Sequence, residues 1–489
     1  MSKFVIIGGG ISGLSAAHRL REAGEDFVLL EASNRFGGVI RSIKKDGFLL
    51  ESGADSFLSE KPQVVDLARK LNIENELIET NDDFRRSFLV RENKLRAVPE
   101  GFRLIAPSNL ETFFASEIVS ESGKTQIANE QFLPAQTIEN IAKSDESLAD
   151  FVRRRFGQEA LERIAQPMFA GIYTANPEKL SVKATQPKFL ELEQKFGSVI
   201  AGLQQTTAQI NPITAINSAI GEETEMQSQV PSPKSQVGTS GARYSLFLSF
   251  RNGMQTLLDA LVESLPSDSI RLNAKVRSLR FDGSRKVWQI VVNDEVIEAD
   301  KIILAVSTFV SAQLLQNQFP DIANELNSIE YASTATVNFA FRREQIKHKL
   351  DGFGFVVPFV EKRTLMACTF SSVKFPERAP ENHALLRAFV GGVMQPETFA
   401  LNEDAMINGA LQDLRELLGI EGEPIFSTVE KWADSMPQYN VGHLDKASRI
   451  NDLLMKIPNL RLATNAFDGV GVPDCIRHGI TAAEELLNN

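Results

Sequence analysis

The chain has 489 residues, 43% of them hydrophobic and 24% charged, with a formal net charge of −11. Length and composition predict a globular protein of two or three domains, and the acidic balance excludes a nucleic-acid binder, whose phosphate contacts need a basic face. Two cysteines, Cys368 and Cys475, and five histidines without ligand spacing exclude a disulfide framework, and no metal is expected.

The first residues carry no long apolar stretch ahead of a small-residue cleavage site, and no run approaches the ~20 apolar residues of a spanning helix. A cytoplasmic location is expected.

Phe4 to Ile7 reads as a short buried parallel strand. Gly8-Gly9-Gly10-Ile11-Ser12-Gly13 follows at once. Leu14, Ala17 and Leu20 then recur at helical spacing, Gly24 ends the helix, and Asp26 to Leu30 is a second strand closed by Glu31. Strand, Gly-x-Gly-x-x-Gly, helix, strand and acid make a dinucleotide fingerprint. Gly8 permits the tight turn, Gly10 lets the backbone approach a pyrophosphate, and Gly13 lets the helix pack on the strand. The helix N-terminus aims N–H groups at phosphate. Glu31 lies eighteen residues past Gly13 and is expected at the adenosine ribose hydroxyls.

The next residues, Ala32-Ser33-Asn34-Arg35-Phe36-Gly37-Gly38-Val39, suit a ligand longer than NAD. Arg35 is placed to hold the pyrophosphate from outside, and Gly37 and Gly38 allow close backbone approach where a flavin half begins. This run resembles the E-x-x-x-R-x-G-G extension of FAD-dependent amine oxidases and their relatives. Five further segments resemble the bacterial protoporphyrinogen/coproporphyrinogen oxidase family, in that family's order over nearly the whole chain. They are Glu51-Ser52-Gly53-Ala54-Asp55-Ser56-Phe57, Ala170-Gly171-Ile172-Tyr173, Ser249-Phe250-Arg251-Asn252-Gly253-Met254, Met436 to His443, and Leu462 to Cys475. Thr464, Ala54 and Asn252 depart from the usual glycine, proline and glycine.

The resemblance implies an α/β fold. Its Rossmann-type FAD domain is discontinuous, built from residues 1–80, 241–305 and 431–489. Ile270 to Leu279, Trp288 to Val292 and Lys301 to Val306 read as its strands, with Val276 at the adenine. The flavin contacts implied are Gly53, Ala54, Asp55, Ser56, Trp432, Val470, Gly471 and Val472. A last helix from about Asp474 would point its N-terminus at the isoalloxazine. Residues 81–240 are expected to be helical, with a polar surface loop near 203–240. Phe102, Leu104, Ile105, Leu110, Phe113 and Phe114 form an amphipathic stretch read as core-facing, in a region that meets the membrane in the family. Residues 306–430 are expected to be a mixed α+β substrate domain, with strands Thr336 to Phe341 and Leu385 to Val390 and a helix Glu403 to Leu418.

The activity implied is six-electron oxidation of a porphyrinogen in heme biosynthesis, with FAD as hydride acceptor and oxygen as terminal acceptor. Phe353, Val356 and Phe389 are expected to grip the macrocycle, with the Gly354 backbone near the reacting carbon. Arg86 is expected to anchor a carboxylate, with Arg85, Arg91 and Arg96 adding charge at the cleft mouth. Tyr439 and His443 are expected to shape the flavin side, with proton handling as the alternative role. Attachment to the inner face of the cell membrane and homodimerisation are further expectations of the resemblance. The rival readings are a flavin amine oxidase, a carotenoid desaturase, and a non-catalytic carrier of prenylated GTPases. The intact glycine fingerprint with Arg35, Gly37 and Gly38 speaks against the carrier.

Overall fold

The computed structural model describes residues 2–136, 145–210 and 247–488. The chain begins with β1 (Ser2–Ile7), α1 (Ile11–Glu22) and β2 (Phe27–Leu30), followed by the hairpin β3 (Phe88–Arg91) and β4 (Lys94–Ala97). A helical stretch containing α2 (Gln166–Tyr173) comes next. It leads to β5 (Ile270–Arg271), β6 (Val276–Asp282), β7 (Val287–Val292) and β8 (Glu295–Leu304). Then follow β9 (Tyr331–Arg342), β10 (Gly354–Val356), β11 (Leu365–Phe370), β12 (His383–Gly391), α3 (Glu403–Leu418) and β13 (Phe426–Pro437). The chain closes with α4 (His443–Leu454), β14 (Leu460–Leu462) and α5 (Val472–Leu487).

The first large sheet runs β5-β2-β1-β8-β7-β6, with β14 added on β8. Phe4 to Ile7 are buried because β1 lies between parallel β2 and β8 and is covered on both faces. Phe4 and Ile6 pack with Leu14, Ala17 and Leu20 of α1 and Ile476 and Ala483 of α5. Val5 and Ile7 pack on the opposite face with Ala312, Ile322, Leu326 and Ile450. Helices Thr308–Leu315 and Pro320–Asn327 thus share the core of the nucleotide-binding sheet rather than that of the expected substrate domain. The expected strand Ile270 to Leu279 is two strands, because Asn273 turns at φ +53° and the Ala274 amide bonds the Glu31 carbonyl.

The second large sheet runs β13-β9-β12-β11-β10-β3-β4. Residues 88–97, expected in the helical region, are a hairpin of this sheet. The reason is legible in Phe88-Leu89-Val90, where Phe88 and Val90 bury against one core and Leu89 against another. Likewise β13 carries this sheet across the expected boundary at 431, paired with β9 from Ala340 to Tyr331. Val337, Phe339, Ala388 and Leu386 face α3, burying against Met406, Ala410 and Leu414.

The third layer is helical, built around Phe113, Phe151, Phe156, Ile164 and Phe169. The stretch from Phe102 is a small hairpin and a short helix, Leu110–Phe114. Ile105 and Phe113 are buried and Phe114 is exposed. The expected polar loop of 203–240 opens inside a helix, Val199–Ile210, and its remainder lies outside the described residues.

Candidate active site

The glycine loop is shaped by what glycine alone allows. Gly8 sits at φ +111° with its amide on the Leu30 carbonyl at 2.9 Å, and an added Cβ would lie 2.3 Å from the Ala305 carbonyl oxygen. A Cβ on Gly13 would lie 1.9 Å from the Gly8 carbonyl oxygen, and one on Gly9 2.6 Å from the Phe36 ring. Gly10 differs, since a Cβ there meets nothing within 4 Å. It is also the N-cap of α1, whose first turn holds no acid and no side-chain cap. An open face, free N–H groups and the positive end of a helix make an anion cradle. Ile11 is buried behind it. Ser12 bonds the Cys475 thiol, and a Cβ on Gly479 of α5 would lie 2.1 Å from the Ser12 carbonyl oxygen.

Glu31 braces this loop, accepting from the Gly9 amide at 2.7 Å and the Ser33 amide at 2.8 Å. Ala32 beside it is exposed, and Val276 opens β6 two residues beyond the Ala274 amide that bonds the Glu31 carbonyl. The Arg35 guanidinium turns inward, donating to the carbonyls of Phe36, Gly38 and Ile40. It therefore sets the shape of the Gly37-Gly38-Val39 turn instead of reaching outward for phosphate. Gly37 donates to the Gly9 carbonyl at 2.8 Å, so the two glycine turns are one surface.

Gly53 meets that surface from the side. A Cβ there would lie 1.7 Å from the Val39 carbonyl oxygen. The carbonyls of this segment are held mainly by donors from the second sheet. Ser52 accepts from Trp432 Nε1 at 2.8 Å and Thr336 Oγ1 at 3.0 Å, Gly53 accepts from Arg387, and Asp55 accepts from Ser249 Oγ at 2.7 Å. Lys374 Nζ reaches the Asp55 carboxylate at 3.0 and 3.2 Å and Ser56 Oγ at 2.9 Å. Burial alone would raise the Asp55 carboxyl, but Lys374 and Arg387 outweigh it and hold it below the usual carboxylate range. Trp432 acts here as a brace for Ser52, a role the sequence reading did not give it.

The closing segment enters from β14, which runs parallel to β8. Tyr439 donates to the Asn465 carbonyl at 2.6 Å and His443 Nε2 to the Phe467 carbonyl at 2.9 Å, with the two rings stacked at 4.2 Å. Gly469 turns at φ +97° against the Asp474 carboxylate, and α5 starts at Val472 with Gly471 as its N-cap. Asp474 is buried in that first turn and accepts from Lys61 Nζ at 2.7 Å on both oxygens.

Strand register orders the side chains of the second sheet. Thr336, Glu430, Phe389, Ala367 and Val356 are cross-strand neighbours, and so share one face of the second sheet. Asn338, Arg387, Thr369 and Gly354 form the next row, and Thr334 with Trp432 the row on the other side. This face looks away from α3. At Val356 it meets the helical layer: a Cβ on Gly171 would lie 3.8 Å from Val356 Cγ1, and Val356, Tyr173 and Val470 pack on the same core. Gly354 sits at φ +144°, with room for no Cβ beside the Cys368 carbonyl. Phe353 is half-buried, and its amide donates to the Arg86 carbonyl at 2.8 Å. Burial, helped by Asp474, pushes the Tyr173 phenol up to about 12. Burial also pushes up Tyr439 and lowers His443, so these groups stand neutral near pH 7.

The arginines separate. Arg86 is half-exposed and faces Asp351 at 3.4 Å, and Arg85 pairs with Asp82. Arg91 donates to the carbonyls of Glu117 and Val119 and pairs with Glu92 at 3.3 Å, and Arg96 pairs with the Glu117 carboxylate, so each meets a carboxylate of its own. Sequence reasoning missed Lys374, Arg378 and Arg387. One signal was present: Arg387 is a lone charge inside the apolar run Ala384 to Val390.

Among the described residues, no group of three His, Cys, Asp or Glu is placed to hold a metal, and no helix is long and apolar enough to cross a membrane. The open Gly10 cradle and the glycine turns that converge on it fit a dinucleotide extended by a flavin. Fold and site together define an FAD-dependent oxidoreductase. The chain belongs to the flavin containing amine oxidoreductase family, whose model matches residues 11–487. It is 32% identical to coproporphyrinogen III oxidase of Bacillus subtilis, covering 99% of this chain and 97% of that one. It is 28% identical to mitochondrial protoporphyrinogen oxidase of Nicotiana tabacum, covering 99% and 95%. A solved structure from Exiguobacterium matches with a TM-score of 0.83 at 28% identity over 100% of this chain and 99% of that one. Putrescine oxidase, at 16% identity and a TM-score of 0.69 over 100% and 99%, shares the fold.

Proposed function

We propose that this chain oxidises a porphyrinogen to the porphyrin in heme biosynthesis, in the cleft between the second sheet and α2. The observation that carries the proposal is the row Val356, Ala367 and Phe389, which meets Gly171 of α2 at Val356. These three side chains form an apolar wall suited to a large macrocycle. Full-length similarity to proteins named coproporphyrinogen III oxidase and protoporphyrinogen oxidase supports the same reading.

The reaction removes six electrons and six hydrogens in three steps, and three oxygen molecules leave as three peroxides. FAD, when bound, supplies the hydride acceptor. The Gly8–Gly13 loop, with Gly9, Ile11 and Ser12, takes the pyrophosphate. Glu31 and Ala32 take the ribose and Val276 the adenine. Gly37, Gly38, Val39, Gly53 to Ser56 and Val470 to Val472 border the isoalloxazine, while Arg35 and Trp432 hold those turns in shape. Phe353, Val356 and Phe389 grip the macrocycle, and Gly354 lets its backbone come near the reacting carbon. Arg86 takes a substrate carboxylate in exchange for Asp351, an exposed pair that binds weakly enough to be displaced. Phe114, Phe132 and Leu133 are exposed on the helical layer, the region that would meet a membrane.

The test follows porphyrin fluorescence with reduced protoporphyrinogen and coproporphyrinogen in parallel on the flavin-loaded protein. A rate above autoxidation with matching peroxide is expected, and the larger kcat/KM names the substrate. A yellow protein inactive on both overturns the substrate assignment and leaves the fold.

A further inference from the structure

The segment Gly53–Ser56 lies on buried charge. Arg378 and Arg387 are almost fully buried and Lys374 is nearly so, while the carboxylates among them are Asp55 and Glu51. Lys374 pairs with Asp55 at 3.0 Å, Arg387 stands 3.9 Å from the same carboxylate, and Arg378 donates to the carbonyls of Phe250 and Arg251. Among the described residues, Glu51 accepts from Ser42 and the Met254 amide alone. Nearby Glu430 is matched by Arg41 at 3.3 Å, and Glu377 by Arg251 at the surface. Among the described residues, three cations therefore face at most two negative charges. Arg387 Nε is also buried without a hydrogen-bond partner among the described residues. Surplus buried positive charge is costly unless an anion comes to it.

Hydride acceptance creates such an anion. A substrate C–H bond breaks, an N–H bond forms on the acceptor, and the electron pair leaves one negative charge behind. We propose that Lys374, Arg378 and Arg387 form a buried cationic floor beneath Gly53–Ser56 that stabilises this charge and so sets the flavin's reduction potential. The inference rests on the assignment of Gly53–Ser56 to the flavin face. These are positioning and tuning residues, since their hydrogen bonds go to the chain and to Asp55.

The test uses the FAD-loaded full chain with sulfite as probe, because sulfite addition to an oxidised flavin creates the same extra negative charge. Lys374→Met and Asp55→Asn break the same ion pair but change its charge in opposite senses. Lys374→Met is expected to weaken sulfite binding about tenfold and lower the two-electron potential by about 30 mV, while Asp55→Asn shifts both the other way. Lys374→Arg, which keeps the charge and changes the geometry, is expected to stay near wild type. Shifts of the same sign in Lys374→Met and Asp55→Asn, or none in either, overturn the proposal. A wild-type protein that takes up no FAD refutes the cofactor reading itself, which is a different result.

Discussion

Trp432 donates its indole N–H to the Ser52 carbonyl at 2.8 Å, and Thr336 donates to the same oxygen at 3.0 Å. One carbonyl thus joins the glycine-rich nucleotide half to the second sheet. The turn after Glu51 has its shape because strands from a distant part of the chain hold it.

Trp432→Phe keeps the ring and removes the donor. The loss of one hydrogen bond is expected to cost about 1 kcal/mol, since Thr336 still satisfies the carbonyl. The FAD dissociation constant, measured by titrating apoprotein, is expected to rise up to about tenfold. Trp432→Phe combined with Thr336→Val leaves the Ser52 carbonyl with the long 3.5 Å contact from Arg387 and is expected to cost more than the two single changes together. An additive double variant would show that the carbonyl is not the shared element.

Gly10 and Gly13 separate folding from binding. Gly13→Ala places a methyl 1.9 Å from the Gly8 carbonyl oxygen, where backbone must move. It is expected to yield protein without flavin and with a melting temperature several degrees lower. Gly10→Ala meets open space and keeps the apoprotein stability, yet its methyl enters the phosphate approach. It is expected to lose flavin at unchanged apoprotein melting temperature, read from the 450 nm to 280 nm absorbance ratio.

Much of this was readable in the residues. Phe4 to Ile7, the glycine turns and the helix Glu403–Leu418 follow from local pattern, because their signals are contained in a few consecutive residues. The hairpin Phe88–Ala97 was assigned to the helical region because its partner, Phe355 to Val356, lies more than 250 residues away. Lys374, Arg378 and Arg387 escaped for the same reason. Their meaning comes from Asp55 and Glu51, which register and packing bring beside them. Arg35 shows the converse error, since its residue type was read correctly while its direction is set by three nearby carbonyls.

Phe389 shares a cross-strand row with Val356 and Ala367 on the face proposed to take the substrate. Phe389→Ala is expected to raise KM about tenfold, a loss of roughly 1.4 kcal/mol of binding, with the flavin spectrum unchanged. Its ring also covers the Arg387 guanidinium at 4.8 Å. Phe389→Leu, which keeps apolar bulk without a π face, separates the two effects. Recovery of KM by leucine would assign the ring to the macrocycle. A potential shift instead would assign it to Arg387.

Glu51 gives the pH prediction. Burial pushes its carboxyl up to about 7 from 4.5, against hydrogen bonds from Ser42 and Met254 and the charge of Arg378. The folded-state value lies above the unfolded one, so Glu51 contributes its stability at low pH. That contribution is present below about pH 4.5 and lost as pH rises through 7, on the order of 3 kcal/mol in all. Glu51→Gln stays neutral and keeps a carbonyl to accept from Met254. Its melting temperature relative to wild type is therefore expected to be higher at pH 8 than at pH 5. An equal difference at both values would mean that Glu51 titrates alike in the folded and unfolded chain.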